Sequence, residues 1–120
     1  NKVPFEGLPE LQVAGFGARG YDRLNGRAQG QDFSLNTAIV QRKGEAPDSN
    51  LMLDQSKGKG VCVGDSGGPA FLMHDSGDFV LVGVVSDVYN ADQARTCSGQ
   101  GSLVSIYSVL DWVMKTAVQL

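Results

Sequence analysis

Residues 64–69 read Gly-Asp-Ser-Gly-Gly-Pro, and no other stretch limits the fold and chemistry of the chain so tightly. At average residue frequencies this hexapeptide would arise by accident in a chain of this length with odds on the order of one in a hundred thousand. Ser66 stands in a run of glycines with an acid before it and a proline closing the run. No neighbouring Cβ obstructs an approaching carbonyl group, and the backbone can take conformations closed to other residues. A serine hydroxyl by itself is a poor nucleophile. It needs a base for its proton, backbone N–H donors where negative charge develops, and a pocket that places the bond to be broken.

The chain has 120 residues, enough for one domain that buries roughly two-thirds of its unfolded surface. Ten basic residues against 13 acidic ones, with a net charge of −3, leave no basic patch and argue against a nucleic-acid partner. No apolar run approaches the ~20 residues of a membrane span and no signal peptide is visible, so a soluble chain with no membrane partner is expected. The 16 glycines are spread along the chain, and short apolar runs alternate with Gly, Asp and Asn. That pattern points to an all-β sandwich or barrel. Cys62 and Cys97 allow one bridge, which would stabilise the fold by about 4 kcal/mol in the chain-entropy model, or two buried thiols. Two cysteines alone do not decide between these.

Residues 1–9, with two prolines and a glycine, read as an extended lead-in or linker, and residues 10–120 as the folded domain. Strands are expected at 11–17, 33–42, 51–53, 70–73, 79–88 and 102–107. The runs 70–73 and 79–88 form a hairpin around the turn His74-Asp75-Ser76-Gly77. Polar loops are expected at 21–31, 44–50, 55–60 and 89–99. At the C-terminus, Ser108 and Asp111 have the spacing of a capping box. Val109, Leu110, Val113 and Ala117 then share one apolar face of a helix over about 109–118, with Trp112 at its border.

Gly15-Phe16-Gly17-Ala18-Arg19-Gly20 matches the dinucleotide-binding pattern G-x-G-x-x-G. That pattern needs a helix to follow, with its N-terminus at the pyrophosphate. The residues after Gly20 carry further glycines and no apolar stripe, so no cofactor is expected, and nothing in the sequence suggests a metal. The lysines in Lys57-Gly-Lys59 are not a phosphate loop, for the same lack of a helix start.

Val61-Cys-Val-Gly-Asp-Ser-Gly-Gly-Pro69 resembles the nucleophile segment of the trypsin-like, chymotrypsin-fold serine proteases. Val13-Ala-Gly-Phe-Gly17 resembles the Val-x-Gly-Trp-Gly strand that opens their second barrel, with Phe16 in place of tryptophan. Val84-Val85-Ser86 and the terminal helix with Trp112 match as well. The resemblance runs over about residues 8–118. It implies a six-stranded antiparallel Greek-key barrel with a C-terminal helix, the second of the family's two barrels, and makes 1–9 the linker between them.

The resemblance also implies roles. Ser66 is the nucleophile, and the N–H groups of Gly64 and Ser66 form the oxyanion hole. Asp65 pairs with an ammonium released by zymogen cleavage; capping of its own loop's amides is the other reading. Ser86 supports the triad aspartate, and its strand, with Val88, pairs with the substrate backbone. Gly60, Val61, Val88 and Gly101 border the specificity pocket. Gly60 at its base carries no charge to pair a basic side chain, and Val88 narrows the entrance, so small or medium aliphatic residues are expected. Asp87 replaces the family's usual tryptophan. Cys62 and Cys97 match a family disulfide, which implies an oxidising, secreted or periplasmic location.

The base is not in this sequence. Its one histidine, His74, falls after the serine in a hairpin turn and is expected at the surface. The expectation is therefore the C-terminal half of a serine endopeptidase acting on peptide or protein substrates, with His and Asp supplied by an N-terminal barrel. The alternative is an inactive homologue that serves as a protein-binding module.

Overall fold

The computed structural model of the chain describes residues 10–21, 28–30, 34–45, 51–89, 97 and 99–120. The linker expected at 1–9 and most of the loops expected at 21–31, 44–50 and 89–99 lie outside the described residues.

Six strands close into an antiparallel barrel: β1 (Glu10–Gly15), β4 (Asn36–Glu45), β5 (Leu51–Asp54), β6 (Pro69–Met73), β7 (Phe79–Tyr89) and β8 (Gln100–Ser105). Their order around the barrel is β1-β4-β5-β8-β7-β6. Two short strands, β2 (Gly20–Tyr21) and β3 (Ala28–Gln29), pair apart from it. The expected six strands and the 70–88 hairpin are present, with ends moved by up to three residues. The Gly15–Gly20 run leads from one strand to another, β1 to β2, and not into a helix.

Closure follows from alternation. Along β1 Leu11 and Val13 face inward, along β5 Leu51 and Leu53, and these meet Val40, Ala70, Val82, Val85 and Leu103 in one core. Residues two apart share a face of a strand, so each strand lines the barrel with every second side chain. Burying a Leu or Val in this way contributes about 1.5–3 kcal/mol.

Strand β7 breaks the rule twice. The register against β6 shifts between Ala70 and Phe71, opposite Gly83 and Leu81, and the register against β8 shifts between Val85 and Asp87. These bulges place one extra β7 residue, Val82 and then Ser86, outside the one-to-one pairing. Bulges bend a strand and re-aim side chains, and they recur beside functional sites. The second one is where β7 passes Ser66.

The helix α1 (Ile106–Ala117) starts three residues earlier than expected, because β8 runs into it without a connecting loop. Ser105 takes the cap position with no side-chain cap bond. Ser108 is therefore already inside the first turn, and its hydroxyl donates back to the Ser105 carbonyl at 2.7 Å. Asp111 pairs forward with Lys115 at 2.8 Å, so the expected capping box does not form. The apolar face is also turned. Ile106 and Val109 are half-buried, whereas Leu110, Val113 and Ala117 are exposed and Trp112 is 68% exposed.

Candidate active site

The segment between β5 and β6 carries the hexapeptide, and its backbone is held from both sides. Asp65 N–H donates to the Cys62 carbonyl at 3.1 Å, and Gly68 N–H donates to the Asp65 carbonyl at 2.9 Å. Gly67 and Val85 exchange a further pair of bonds with the turn: Gly67 N–H to the Val85 carbonyl, and Val85 N–H to the Gly68 carbonyl, both 2.8 Å. Gly64 and Gly67 sit at φ +94° and +84°, a region that costs an L-residue with a side chain about 1–2 kcal/mol. The tight turn therefore requires glycine at both positions.

The turn leaves alternate amides unused. Among the described residues, no acceptor takes the N–H of Gly64 or of Ser66, while Asp65, Gly67 and Gly68 between and beside them are all bonded. Backbone amides left unbonded in a turn of this kind make an electropositive spot suited to an anion.

The Ser66 hydroxyl is exposed and donates to the main-chain carbonyl of Ser86 at 3.3 Å. A carbonyl oxygen accepts a hydrogen bond but cannot take the proton. His74 is elsewhere: it sits exposed in the β6–β7 turn, where its Nδ1 accepts from the Ser76 amide at 3.3 Å and lies 3.1 Å from the Ser76 hydroxyl. That hydroxyl in turn donates to Asp78 at 2.8 Å. A His, a Ser and an Asp thus meet, but the carboxylate binds the serine, and the imidazole turns its Nδ1 to Ser76.

Asp65 reaches back toward β1. Its Oδ1 accepts from Gly17 N–H at 2.8 Å and its Oδ2 from Cys62 N–H at 2.9 Å. Ala18 N–H adds a bond to the Val63 carbonyl at 2.8 Å, so the strand-end Gly15–Ala18 and the nucleophile turn are laced together. A side chain at Gly15 or Gly17 would overlap the carboxylate. Beside it lies a cavity of about 260 Å³ lined by Gly15, Gly17, Gly60, Asp65 and the two cysteines among others. Among the described residues no Lys, Arg or His pairs with Asp65.

A second cleft, of about 290 Å³, opens directly at Ser66 and is lined by Cys62, Val63, Gly64, Ser66, Val85, Asp87, Val88 and Cys97. On the other side of Ser66 a third cleft of about 400 Å³ is mostly apolar, with Phe16, Leu35 and Phe71 in its walls. The bridge between Cys62 and Cys97 is formed, and both cysteines line the first two cavities, so the disulfide is the partition between them.

The residues singled out in the sequence therefore divide into two groups. Gly64, Ser66, Val88 and the backbone of Ser86 meet at the cleft. Gly60 and Val61 line the Asp65 cavity instead, and Gly101 is buried in the barrel end. Asp87 is exposed, and its carboxylate accepts from the Val88 amide at 2.7 Å.

Gln55, which falls in the polar loop expected at 55–60, belongs to this end of the barrel. It is fully buried at 0% exposure and bonds to the backbone of both Val61 and Cys97. The signal was present, since Gln55 continues the inward series Leu51, Leu53 by one more step of two. Residues 9–113 of the chain match the Trypsin family model, and no curated protein matches the chain.

Proposed function

Because the chain belongs to the trypsin family of serine proteases, we propose that it is the nucleophile-bearing barrel of a serine endopeptidase, with Ser66 forming the acyl-enzyme. One observation carries this reading. The exposed Ser66 hydroxyl stands at a cleft, in a turn whose Gly64 and Ser66 amides have no acceptor among the described residues while their neighbours are bonded.

In the proposed reaction the Ser66 oxygen attacks the scissile carbonyl and its proton passes to a base. The carbonyl oxygen, now negative, accepts from the Gly64 and Ser66 N–H groups. One such donor contributes about 3–4 kcal/mol to lowering the barrier. Return of the proton to the leaving amine frees the first product, and water then hydrolyses the ester. The Ser86 carbonyl cannot act as this base, and His74 is held in its turn, so the base and its orienting carboxylate are a His and an Asp of a companion N-terminal barrel. The Ser86–Val88 edge of β7 pairs with the substrate backbone. Asp65, beside an open cavity and with no cationic partner among the described residues, takes the ammonium released by an activating cleavage. Val88 in the cleft wall favours small or medium aliphatic residues before the scissile bond. The disulfide fits a secreted or periplasmic setting.

The second reading, an inactive homologue that binds protein, draws on the Ser66 hydroxyl's donation to a carbonyl in place of a base. Fluorophosphonate labelling separates the two. The assembly that carries the companion His and Asp is expected to label at Ser66 and to lose the label in Ser66→Ala. An assembly with a well-placed His and no Ser66-dependent label would establish the binding module.

A further inference from the structure

Gln55 holds the third inward position of β5's series, where the barrel pattern calls for an apolar side chain. The reason lies in what surrounds it. At this end of the barrel the chain turns through the loop to Val61, and backbone groups of Val61 and Cys97 point inward without strand partners. The Gln55 amide meets all of them. Its Oε1 accepts from Val61 N–H at 2.8 Å, and its Nε2 donates to the Val61 carbonyl at 2.9 Å and the Cys97 carbonyl at 2.8 Å. Both amide protons are spent.

The side chain fills the space that two glycines leave. A Cβ at Gly60 or at Gly101 would overlap the Gln55 carboxamide. These are the two residues that stand at the base and far wall of the expected substrate pocket. The cleft at Ser66 accordingly ends at Cys62 and Cys97 and does not reach either glycine.

We propose that Gln55 closes the deep end of the substrate pocket and is the residue that sets its size limit. This deepens, and rests on, the reading of Ser66 as a protease nucleophile. Because its donors are already satisfied by backbone, Gln55 offers a substrate no proton, and it discriminates by volume. Small aliphatic side chains fit in front of it; aromatic ones do not. A pocket that differs by a methylene or more discriminates by roughly 10–200-fold.

The test uses the assembled protease and peptide substrates that differ only in the residue before the scissile bond, from Ala through Val and Leu to Phe. Gln55→Ala should raise the Phe-to-Ala ratio of kcat/KM by about tenfold or more. Gln55→Met, which keeps the volume and drops the hydrogen bonds, should keep the wild-type ratio. If the alanine variant does not fold, Gln55→Asn, shorter by one methylene and still an amide, should move the ratio in the same direction. Indole binding followed by NMR gives a readout free of catalysis: it should be absent in wild type and saturable in Gln55→Ala. An unchanged ratio together with no indole binding, in a folded variant, overturns the proposal. A ratio that moves equally in Gln55→Met overturns it too, since the hydrogen bonds and not the volume would then set the limit. Loss of Ser66-dependent labelling in the wild-type assembly would defeat the nucleophile reading separately, and the indole result would then decide the role of Gln55.

Discussion

The Ser66 hydroxyl donates to the Ser86 carbonyl at 3.3 Å, across the second bulge of β7. The bond is long and exposed, so Ser66 contributes little to the fold. Ser66→Ala should leave the unfolding free energy within about 0.5 kcal/mol of wild type, while kcat of the assembled protease falls on the order of 10⁶-fold. Chemical denaturation and steady-state kinetics on the same preparations check both halves.

Asp65 is the opposite case. Its two oxygens accept from the partly buried amides of Gly17 and Cys62, which have no other acceptor among the described residues. Asp65→Ala should destabilise the barrel by about 2–4 kcal/mol, the cost of leaving two such donors unmet. Asp65→Asn, with one remaining acceptor, should lose less. Urea unfolding of the three forms orders them.

Asp87 occupies the Val88 amide at 2.7 Å. If the Ser86–Val88 edge pairs with substrate backbone, this carboxylate competes for the same donor. Asp87→Ala should lower KM for extended peptides by several-fold and leave kcat within twofold, on the scale of one exposed hydrogen bond of about 1 kcal/mol. Kinetics with peptides of increasing length on the acyl side would show the effect only once the substrate reaches Val88.

Cys62 and Cys97 are 35 residues apart and close a loop around the barrel end. Replacing both with serine should cost about 4 kcal/mol in the chain-entropy model. Because the bridge separates the Asp65 cavity from the Ser66 cleft, the same change should reduce fluorophosphonate labelling more steeply than the shift in stability explains. Labelling rates measured well below the melting temperature test this.

Asp54 ends β5 beside the Gln55 turn. Its carboxyl is held below the usual carboxylate range by hydrogen bonds from the Ser56 hydroxyl and amide, with help from Lys43 and Lys57. A pKa depressed by folding means that its contribution is present above the unfolded carboxylate value and is lost as the pH falls through the folded one. An NMR titration should find Asp54 still ionised at pH values where an ordinary aspartate has begun to protonate, and Asp54→Asn should remove that part of the acid dependence.

Much of this protein was legible in the chain because its signals are local. Short apolar runs bounded by Gly, Asp and Asn located the six strands, since polar turn residues punctuate the chain wherever a strand ends. The hexapeptide announced a serine in a glycine turn, since only glycine takes the φ found at Gly64 and Gly67. His74 could be set aside by its place in a turn. The helix start was misjudged because Ser108 and Asp111 have the spacing of a cap, while the actual start depends on β8 running on into the helix.

The sequence alone marks the serine of the hexapeptide, the glycines its turn requires and the barrel that carries it. Only the tertiary structure decided which amides of that turn stay free, that Asp65 is tied to Gly17 some 48 residues away, and that Gln55 fills the space behind Gly60 and Gly101. Each of these is a contact between segments distant in the chain, set by barrel closure and by the demand that every buried polar group find a partner. No local pattern encodes them.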